Sequence, residues 1–243
     1  PIGEIRLGIY GNEDPMYILA GLPFIAPDYS SAWLLKDVQM EYLQEKFDKK
    51  GLMILYTAPW PGQGFYTKFP VNSVSDFSGK KLRIYSTATQ QMGSMLGFNA
   101  TILPFAEIPQ AFSTGLIEAL FTSPQTGIDI QAWDNTKHFT YAGAIFSKNA
   151  VVVTKKAFNA LSKGDQSNIL AAAKKAELRG WEMSAETTKK QIDILKKNGM
   201  SSKNAPDEVI SKMKSIGLEM MKNWRSKASP EANAVLDRYL SMR

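Results

Sequence analysis

Arg83 stands in a stretch whose residue types could hold an anion. Residues 79–85 begin with a glycine suited to a turn and continue with the apolar residues of a strand partly inside a sheet. Ser86 or Thr87 then caps a helix predicted to run to residue 96. An arginine at the carboxyl end of a strand, facing a helix amino terminus, offers a forked donor and free N–H groups to a carboxylate. On this stretch alone, a surface arginine at a sheet edge is an equally good interpretation.

A similar arrangement recurs later in the chain. Thr122 and Ser123 follow a strand predicted over 117–121, and Pro124 opens another helix. Between the two stretches, the loop over 58–64 carries the indole of Trp60 and the amide of Gln63. That loop forms either a simple chain reversal or the wall of a pocket.

Enzymatic and metal chemistry find little support in the sequence. There is no cysteine, and His138 is the single histidine, with no nucleophile elbow anywhere to accompany it. Asp129 and Asp134 are spaced like residues on a helix surface, not like a calcium loop. Glu107 could serve as a general base, but in a first helical turn it more simply complements the helix dipole. We expect no catalytic residue, no metal and no cofactor.

Composition and charge favour a globular protein that handles small anions. The 243 residues are 44% hydrophobic, and no apolar run approaches the ~18 residues that a membrane span needs. The net charge of +6 comes from scattered lysine pairs, which argues against nucleic acid and suits a modest field that attracts small anions. No signal-peptide pattern is present, and Pro1 is followed at once by a predicted strand. We therefore expect an amino-terminal portion to be missing.

The elements needed to position these residues alternate between strand and helix. Strands are predicted over 5–10, 52–56, 65–67, 82–85, 100–103, 117–121, 141–145 and 150–154, with helices between several of them, starting with one over 31–49. This alternation predicts an α/β fold with largely parallel sheets, which bind ligands at the carboxyl ends of their strands. Gly62 and Gly64 superficially resemble a phosphate loop, but a strand rather than a helix follows them, so a dinucleotide site is rejected.

The carboxyl-terminal third is predicted to be helical. A proline-free helix over 164–198, about 50 Å long at ~1.5 Å per residue, exceeds the width of a small domain and is expected to cross between two lobes. Its apolar stripe comprises Leu178, Trp181, Ala185, Thr188, Ile192 and Leu195. Two further helices are predicted over 204–224 and from Ser229 onward, the last with proline in its first turn.

From Gly3 to its end, the chain resembles the DctP family, the extracytoplasmic solute receptors of tripartite ATP-independent periplasmic (TRAP) transporters. The resemblance rests on residues 79–83 (GKKLR), 103–107 (LPFAE) and 115–119 (GLIEA), with 22–25 and 155–158 matching in order and spacing. It implies a two-lobed, type II-like periplasmic-binding-protein fold spanned by the long helix. We assign residues 1–60 and 149–188 to lobe I, and 61–148 and 189–243 to lobe II. Family members carry another β–α unit before this chain begins, in line with an incomplete lobe I.

The resemblance also implies a site. The motif arginine, which pairs with the substrate carboxylate, is Arg83, and the polar residue three positions later is Ser86. Phe105 matches the aromatic before the family's glutamate. Thr122 or Ser123 stands where the family has asparagine. The loop around Gln63 lacks the arginine of many sugar-acid binders, which argues against a sialic-acid-like or dicarboxylate ligand.

Together these observations predict one anion anchor with a neutral surround. Arg83 is the anchor, Gln63, Ser86, Thr87 and Thr122 or Ser123 are donors, and Trp60, Phe105 and Tyr10 are walls. The predicted function is high-affinity periplasmic binding of a small organic acid, aromatic or branched, and its delivery to TRAP membrane subunits by a monomer. The alternatives are the effector-sensing domain of a bacterial regulator, which needs a helix-turn-helix segment upstream, and a small-molecule enzyme.

Overall fold

The computed structural model describes residues 2–243, so Pro1, on which the expectation about the amino terminus rests, lies outside the described residues. The strands are β1 (Ile2–Arg6), β2 (Leu52–Pro59), β3 (Gly64–Thr67), β4 (Lys81–Ile84), β5 (Asn99–Ile102), β6 (Ala119–Thr122), β7 (His138–Tyr141), β8 (Lys148–Thr154) and β9 (Ser201–Asn204). The helices are α1 (Tyr29–Asp48), α2 (Thr87–Met95), α3 (Ile108–Ser113), α4 (Pro124–Asp129), α5 (Lys155–Asn159), α6 (Lys163–Lys197), α7 (Asp207–Lys227) and α8 (Pro230–Met242).

The strands form two sheets. The first has three antiparallel strands in the order β1-β8-β2, with Ile2 opposite Val153 and Leu52 opposite Thr154. The second has six strands in the order β5-β4-β6-β3-β7-β9. Two short segments pass from one sheet to the other, residues 60–63 after β2 and residues 142–147 before β8, and the long helix α6 makes a third passage. These two crossing segments run side by side, since the N–H of Trp60 donates to the carbonyl of Ser147 at 2.8 Å.

The prediction of largely parallel sheets is wrong in part. Strands β4, β5 and β6 are parallel because α2 and α3 return the chain to the same end of the sheet. Strand β3 instead enters the sheet directly from a crossing segment, with no helix before it, and it pairs antiparallel with both β6 and β7. The two crossings therefore turn a parallel arrangement into a mixed one.

Two strand predictions need correction, and one strand was missed. The first strand ends at Arg6 rather than at residue 10, and Leu7–Tyr10 form a 3-10 turn instead. The strand predicted over 141–145 lies at His138–Tyr141, because Gly143, at a φ of +60°, turns the chain just after it. Strand β9 was not predicted at all, since its sequence, SSKN, has no apolar residue to indicate a strand.

The long helix is confirmed as α6, a 35-residue element capped by Ser162, whose side chain accepts a hydrogen bond from the N–H of Asp165. It packs on β2 of the first sheet and on β9 of the second, so it spans both. Its predicted apolar stripe is only partly right. Trp181 and Leu195 are buried, but Leu178 is exposed. The buried face of the helix includes the polar Ser184 and Gln191 and is therefore rotated away from Leu178.

The last two helices close the molecule. The inner face of α7 packs into the core, and its apolar side chains are buried: Val209, Met213, Ile216, Met220 and Trp224. Helix α8 packs along α1, and the Tyr239 hydroxyl donates to the carbonyl of Ile25 at 2.8 Å. Predicted lobe I contains α1 and predicted lobe II contains α8, so this contact crosses the predicted boundary between the lobes. The division of the sequence into lobes stays a prediction. Within the described residues, no helix combines the length and the apolar composition that crossing a bilayer requires.

Candidate functional site

A cavity of about 290 Å³ lies where the two sheets meet. The crossing segments and the carboxyl ends of β1, β4 and β6 contribute to its wall. Six of the nine predicted site residues line it: Trp60, Gln63, Arg83, Phe105, Thr122 and Ser123. The structure therefore brings together, from four separate stretches, most of the side chains that the sequence singled out.

The other three predicted residues lie elsewhere. Ser86 caps α2, where its hydroxyl accepts from the N–H of Thr89, and it borders a neighbouring space of about 20 Å³ that shares Arg6, Tyr85 and Ser147 with the cavity. Thr87 is exposed and lines a different groove, while Tyr10 packs edge-on against Tyr17 with ring centroids 6.5 Å apart. Helix capping thus accounts for Ser86 without a ligand.

Arg83 is a buried cation with spare hydrogen-bonding capacity. Its side chain extends from β4 and is 1% exposed. Nε donates to the carbonyl of Leu103 at 3.1 Å, whereas Nη2 is buried with no hydrogen-bond partner within residues 2–243. Burial, and then repulsion from Arg6, lowers the pKa of Arg83 to about 10, so the guanidinium is still charged at neutral pH. An unpaired buried donor of this kind is costly unless an anion meets it.

Arg6 is the second cation at the cavity, and the sequence prediction missed it. It is half-buried at the end of β1, its Nε has no partner in the described part of the chain, and burial lowers its pKa. The ring of Tyr85 lies near both guanidinium groups, with its centroid 5.2 Å from Cζ of Arg6 and 6.0 Å from Cζ of Arg83. The only available signal was an arginine within the first predicted strand, which sequence alone cannot distinguish from a surface residue.

A hydrogen-bonded chain joins Tyr85, which lies beside the two arginines, to both crossing segments. The Tyr85 hydroxyl donates to Oε1 of Gln63 at 2.7 Å, and Nε2 of Gln63 donates to Oγ of Ser147 at 3.1 Å. The carbonyl of Gln63 accepts from the N–H of Gly143 at 2.9 Å. Gln63 is therefore a buried bridge between the segments, and its amide is fixed in orientation where it borders the cavity.

The remaining walls combine aromatic surface with polar groups. Nε1 of Trp60 donates to Oδ1 of Asn149 at 3.1 Å, and Nδ2 of Asn149 donates to Oε1 of Glu4 at 2.8 Å, which fixes the indole. Phe105 is 49% exposed and stands at the open side. Ser123 caps α4 by accepting from the N–H of Thr126 at 3.2 Å. Thr122 ends β6 beside it, so hydroxyls do follow this strand as predicted.

The chemistry of this arrangement is binding. Two guanidinium groups, fixed amides, hydroxyls and aromatic surface converge on one cavity, and within residues 2–243 no acidic side chain lines it. His138 does not line it either, because that residue belongs to β7 at the far end from the crossing segment. The site is suited to holding a small anion in place.

Comparison with known proteins agrees with this geometry. The family model of bacterial extracellular solute-binding proteins, family 7 (DctP), matches residues 2–227. DctP7, a Bordetella pertussis extracytoplasmic solute receptor binding pyroglutamic acid, superposes with a TM-score of 0.95 at 37% identity, over 98% of this chain and 79% of that one. A marine metagenome TRAP solute-binding protein in complex with co-purified pyroglutamate gives 0.93 at 32% identity, over 99% and 79%.

The sequence relatives are more distant and longer. A solute-binding protein of Chromohalobacter salexigens is 25% identical over 198 residues, which are 78% of this chain and 58% of that protein. The chain spans about three fifths of the length of the curated relatives it matches first. Its two-sheet α/β architecture, bridged by one long helix, is the two-lobed fold of the TRAP receptors. Because the family model matches almost the whole chain, the protein belongs to family 7 of the bacterial extracellular solute-binding proteins, the DctP family.

Proposed function

We propose that this chain captures a small organic acid outside the cytoplasm, in the periplasm, and delivers it to the membrane subunits of a TRAP transporter. One observation carries the proposal: Arg83, whose buried Nη2 has no hydrogen-bond partner among residues 2–243, lines a cavity with a second arginine and, within the same residues, no acidic side chain. A carboxylate entering the cavity would meet both unpaired donors.

The energetics favour a carboxylate over a neutral ligand. Hydrogen bonds to charged groups contribute roughly 1.5–3 kcal/mol each, about twice the value for neutral pairs. Burial, and then repulsion between the two cations, lowers the pKa of Arg83. A bound anion offsets the repulsion as well as forming the bonds, so the site gains most from a negatively charged ligand.

Pyroglutamate is the acid we propose as the first ligand to test. Two receptors that are 37% and 32% identical to this chain bind it or were found with it. It is a five-membered lactam that carries one carboxylate. The carboxylate suits Arg83, the lactam amide suits the fixed amides of Gln63 and Asn149, and the ring suits the face of Trp60.

The test is a calorimetric titration of the protein with pyroglutamate, for wild type and two variants. Arg83→Ala is expected to weaken binding at least about thirtyfold, since losing one partner of a buried charge pair costs about 2–5 kcal/mol. Arg83→Lys is also expected to bind poorly, because an ammonium cannot replace the planar fork of the guanidinium.

Arg179→Gln is the matched control. It removes the same charge from an exposed position on α6 that does not line the cavity, so pyroglutamate affinity should stay near that of wild type. Thermal melting without ligand shows whether each variant is folded. Folded Arg83 variants that bind within a few-fold of wild type would exclude Arg83 as the anchor. If wild type binds no small organic acid, the proposal itself is wrong.

A further inference from the structure

The cavity has an unbalanced charge. Arg6 and Arg83 both line it, and among residues 2–243 no aspartate or glutamate does. Glu4 reaches the wall only indirectly, through the side-chain amide of Asn149, and its own side chain is exposed. A ligand group at the arginines therefore experiences two positive charges with no negative side chain beside them.

Three neutral acceptors in the wall already have one partner each. Oε1 of Gln63 accepts from the Tyr85 hydroxyl, and Oδ1 of Asn149 accepts from the indole of Trp60. Oγ of Ser147 accepts from the amide of Gln63. A ligand ammonium group would need several such acceptors in place of its water shell, whereas each of these three has one lone pair already in use.

We infer that this cavity discriminates against positive charge: it admits acids whose remaining polar groups are neutral, such as lactams and N-acylated acids, and rejects zwitterionic amino acids. The inference rests on the proposed function, because it concerns which acids that same site accepts. Near a protein surface, two unit charges several ångströms apart interact strongly enough to change the affinity for a ligand by orders of magnitude. Discrimination between acids then follows from charge, even where their shapes are nearly identical.

Three ligands of nearly the same shape test this inference on the wild-type protein by calorimetry at pH 7. Pyroglutamate and proline share a five-membered ring and a carboxylate, but the ring nitrogen is a neutral amide in the first and an ammonium in the second. Cyclopentanecarboxylate has the same ring and carboxylate with no nitrogen. We expect proline to bind at least about a hundredfold more weakly than pyroglutamate, which is about 2.8 kcal/mol. Cyclopentanecarboxylate should fall between them.

Arg6→Gln tests the cause. Removing one of the two cations should reduce the preference for pyroglutamate over proline by about tenfold, even though pyroglutamate itself also binds less well. Arg179→Gln, which changes the net charge equally at an exposed position on α6, should leave the preference unchanged. Gln63→Glu is a second variant of nearly the same shape, and it brings a carboxylate to the wall. It too should narrow the preference.

Each result bears on the inference separately from the proposed function. If proline binds as well as pyroglutamate, the charge inference is wrong while organic-acid binding stands. If cyclopentanecarboxylate binds as weakly as proline, the missing amide rather than the ammonium decides, and the inference is again wrong. Folded Arg6→Gln and Gln63→Glu proteins with an unchanged preference would also overturn it. If none of the three acids binds, the proposed function fails and the inference fails with it.

Discussion

Tyr85 is the side chain that relates the two cavity arginines to each other and to the crossing segments. Its ring lies near the guanidinium groups of Arg6 and Arg83, and its hydroxyl is bonded to Gln63. A cation near an aromatic face gains roughly 0.5–2 kcal/mol, more as the pair loses water. The ring therefore offsets part of the repulsion between two cations that have no acidic partner in the cavity.

Two substitutions of Tyr85 distinguish the contribution of its ring to ligand binding from that of its hydroxyl. Tyr85→Leu removes both, and we expect it to weaken pyroglutamate binding about tenfold or more, since two contacts of about 1 kcal/mol each are lost. Tyr85→Phe keeps the ring and should restore binding to within about threefold of wild type. Calorimetric titration of both variants measures this. Equal losses in the two would show that the hydroxyl, not the ring, matters.

Residue types and motifs predicted only part of the site. Arg83 and the hydroxyl residues at 122–123 were predicted because each lies at or near the end of a strand that the sequence shows clearly, and Phe105 was predicted from the family motif; all of them line the cavity. Arg6 and Asn149 were missed because β1 and β8 bring them to the cavity through antiparallel pairing, and no local pattern shows which strands pair. Ser86 was assigned to the ligand because a helix cap and an anion donor have the same residue type.

Among the elements, α2 shows how much a cap contributes. The Ser86 hydroxyl accepts from the N–H of Thr89, and the Thr89 hydroxyl lies 3.1 Å from the N–H of Ser86 as a reciprocal acceptor. Both residues are buried, so neither N–H has water as an alternative partner. The cap therefore holds the end of β4, and with it Arg83, against the start of the helix.

Ser86→Ala is expected to lower the free energy of unfolding by about 1 kcal/mol, with a change in acid affinity below about threefold. Urea unfolding and calorimetry on the same samples distinguish the two effects. Thr87→Ala, one residue later and exposed, is the control and should stay within about 0.5 kcal/mol of wild type. A large loss of acid affinity in Ser86→Ala at unchanged stability would instead show that Ser86 contacts the ligand.

Periodicity explains which elements could be predicted. Helices α1, α6 and α7 are long enough for a repeated apolar spacing to show, and all three were found. Strand β9 was not found, because its four residues, SSKN, are all polar, and β7 was placed a few residues late, in the apolar crossing segment that follows it. The polar part of the buried face of α6 also could not be foreseen, because Ser184 and Gln191 are buried by partners distant in sequence.

At the scale of the whole molecule, buried cations gather where the sheets join. Besides the cavity arginines, Lys148 is buried at the start of β8, where its Nζ donates to Oε1 of Gln39 at 2.7 Å. Burial, and then repulsion from Lys36, lowers the pKa of Lys148 to about 7, against a partial opposing effect of Glu177. The charged form of this lysine is thus a cost to the folded state.

The stability of the protein should therefore rise between about pH 7 and pH 10. The unfolded chain keeps Lys148 protonated up to its ordinary value of 10.5, while the folded chain releases the proton near 7, so the unfolded state binds more protons in that window. Below pH 7 both states are protonated and the full cost is present. Lys148→Met should flatten this rise in urea unfolding measured from pH 6 to 10. Lys174→Met, at an exposed position, should retain it, and an equally steep rise in Lys148→Met would contradict the assignment.

The central position of β8 in the first sheet also dictates an order of events during folding. Its neighbours β1 and β2 do not pair with each other. Both pair with β8, which ends at Thr154. A chain that emerges from its amino terminus must therefore complete most of the other sheet while these two strands remain unpaired. Contacts of such long sequence separation slow folding and leave strand edges open to aggregation. A nascent chain that stops short of residue 148 would lack the strand with which β1 and β2 both pair, so these two strands are expected to pair only after β8 has been synthesised.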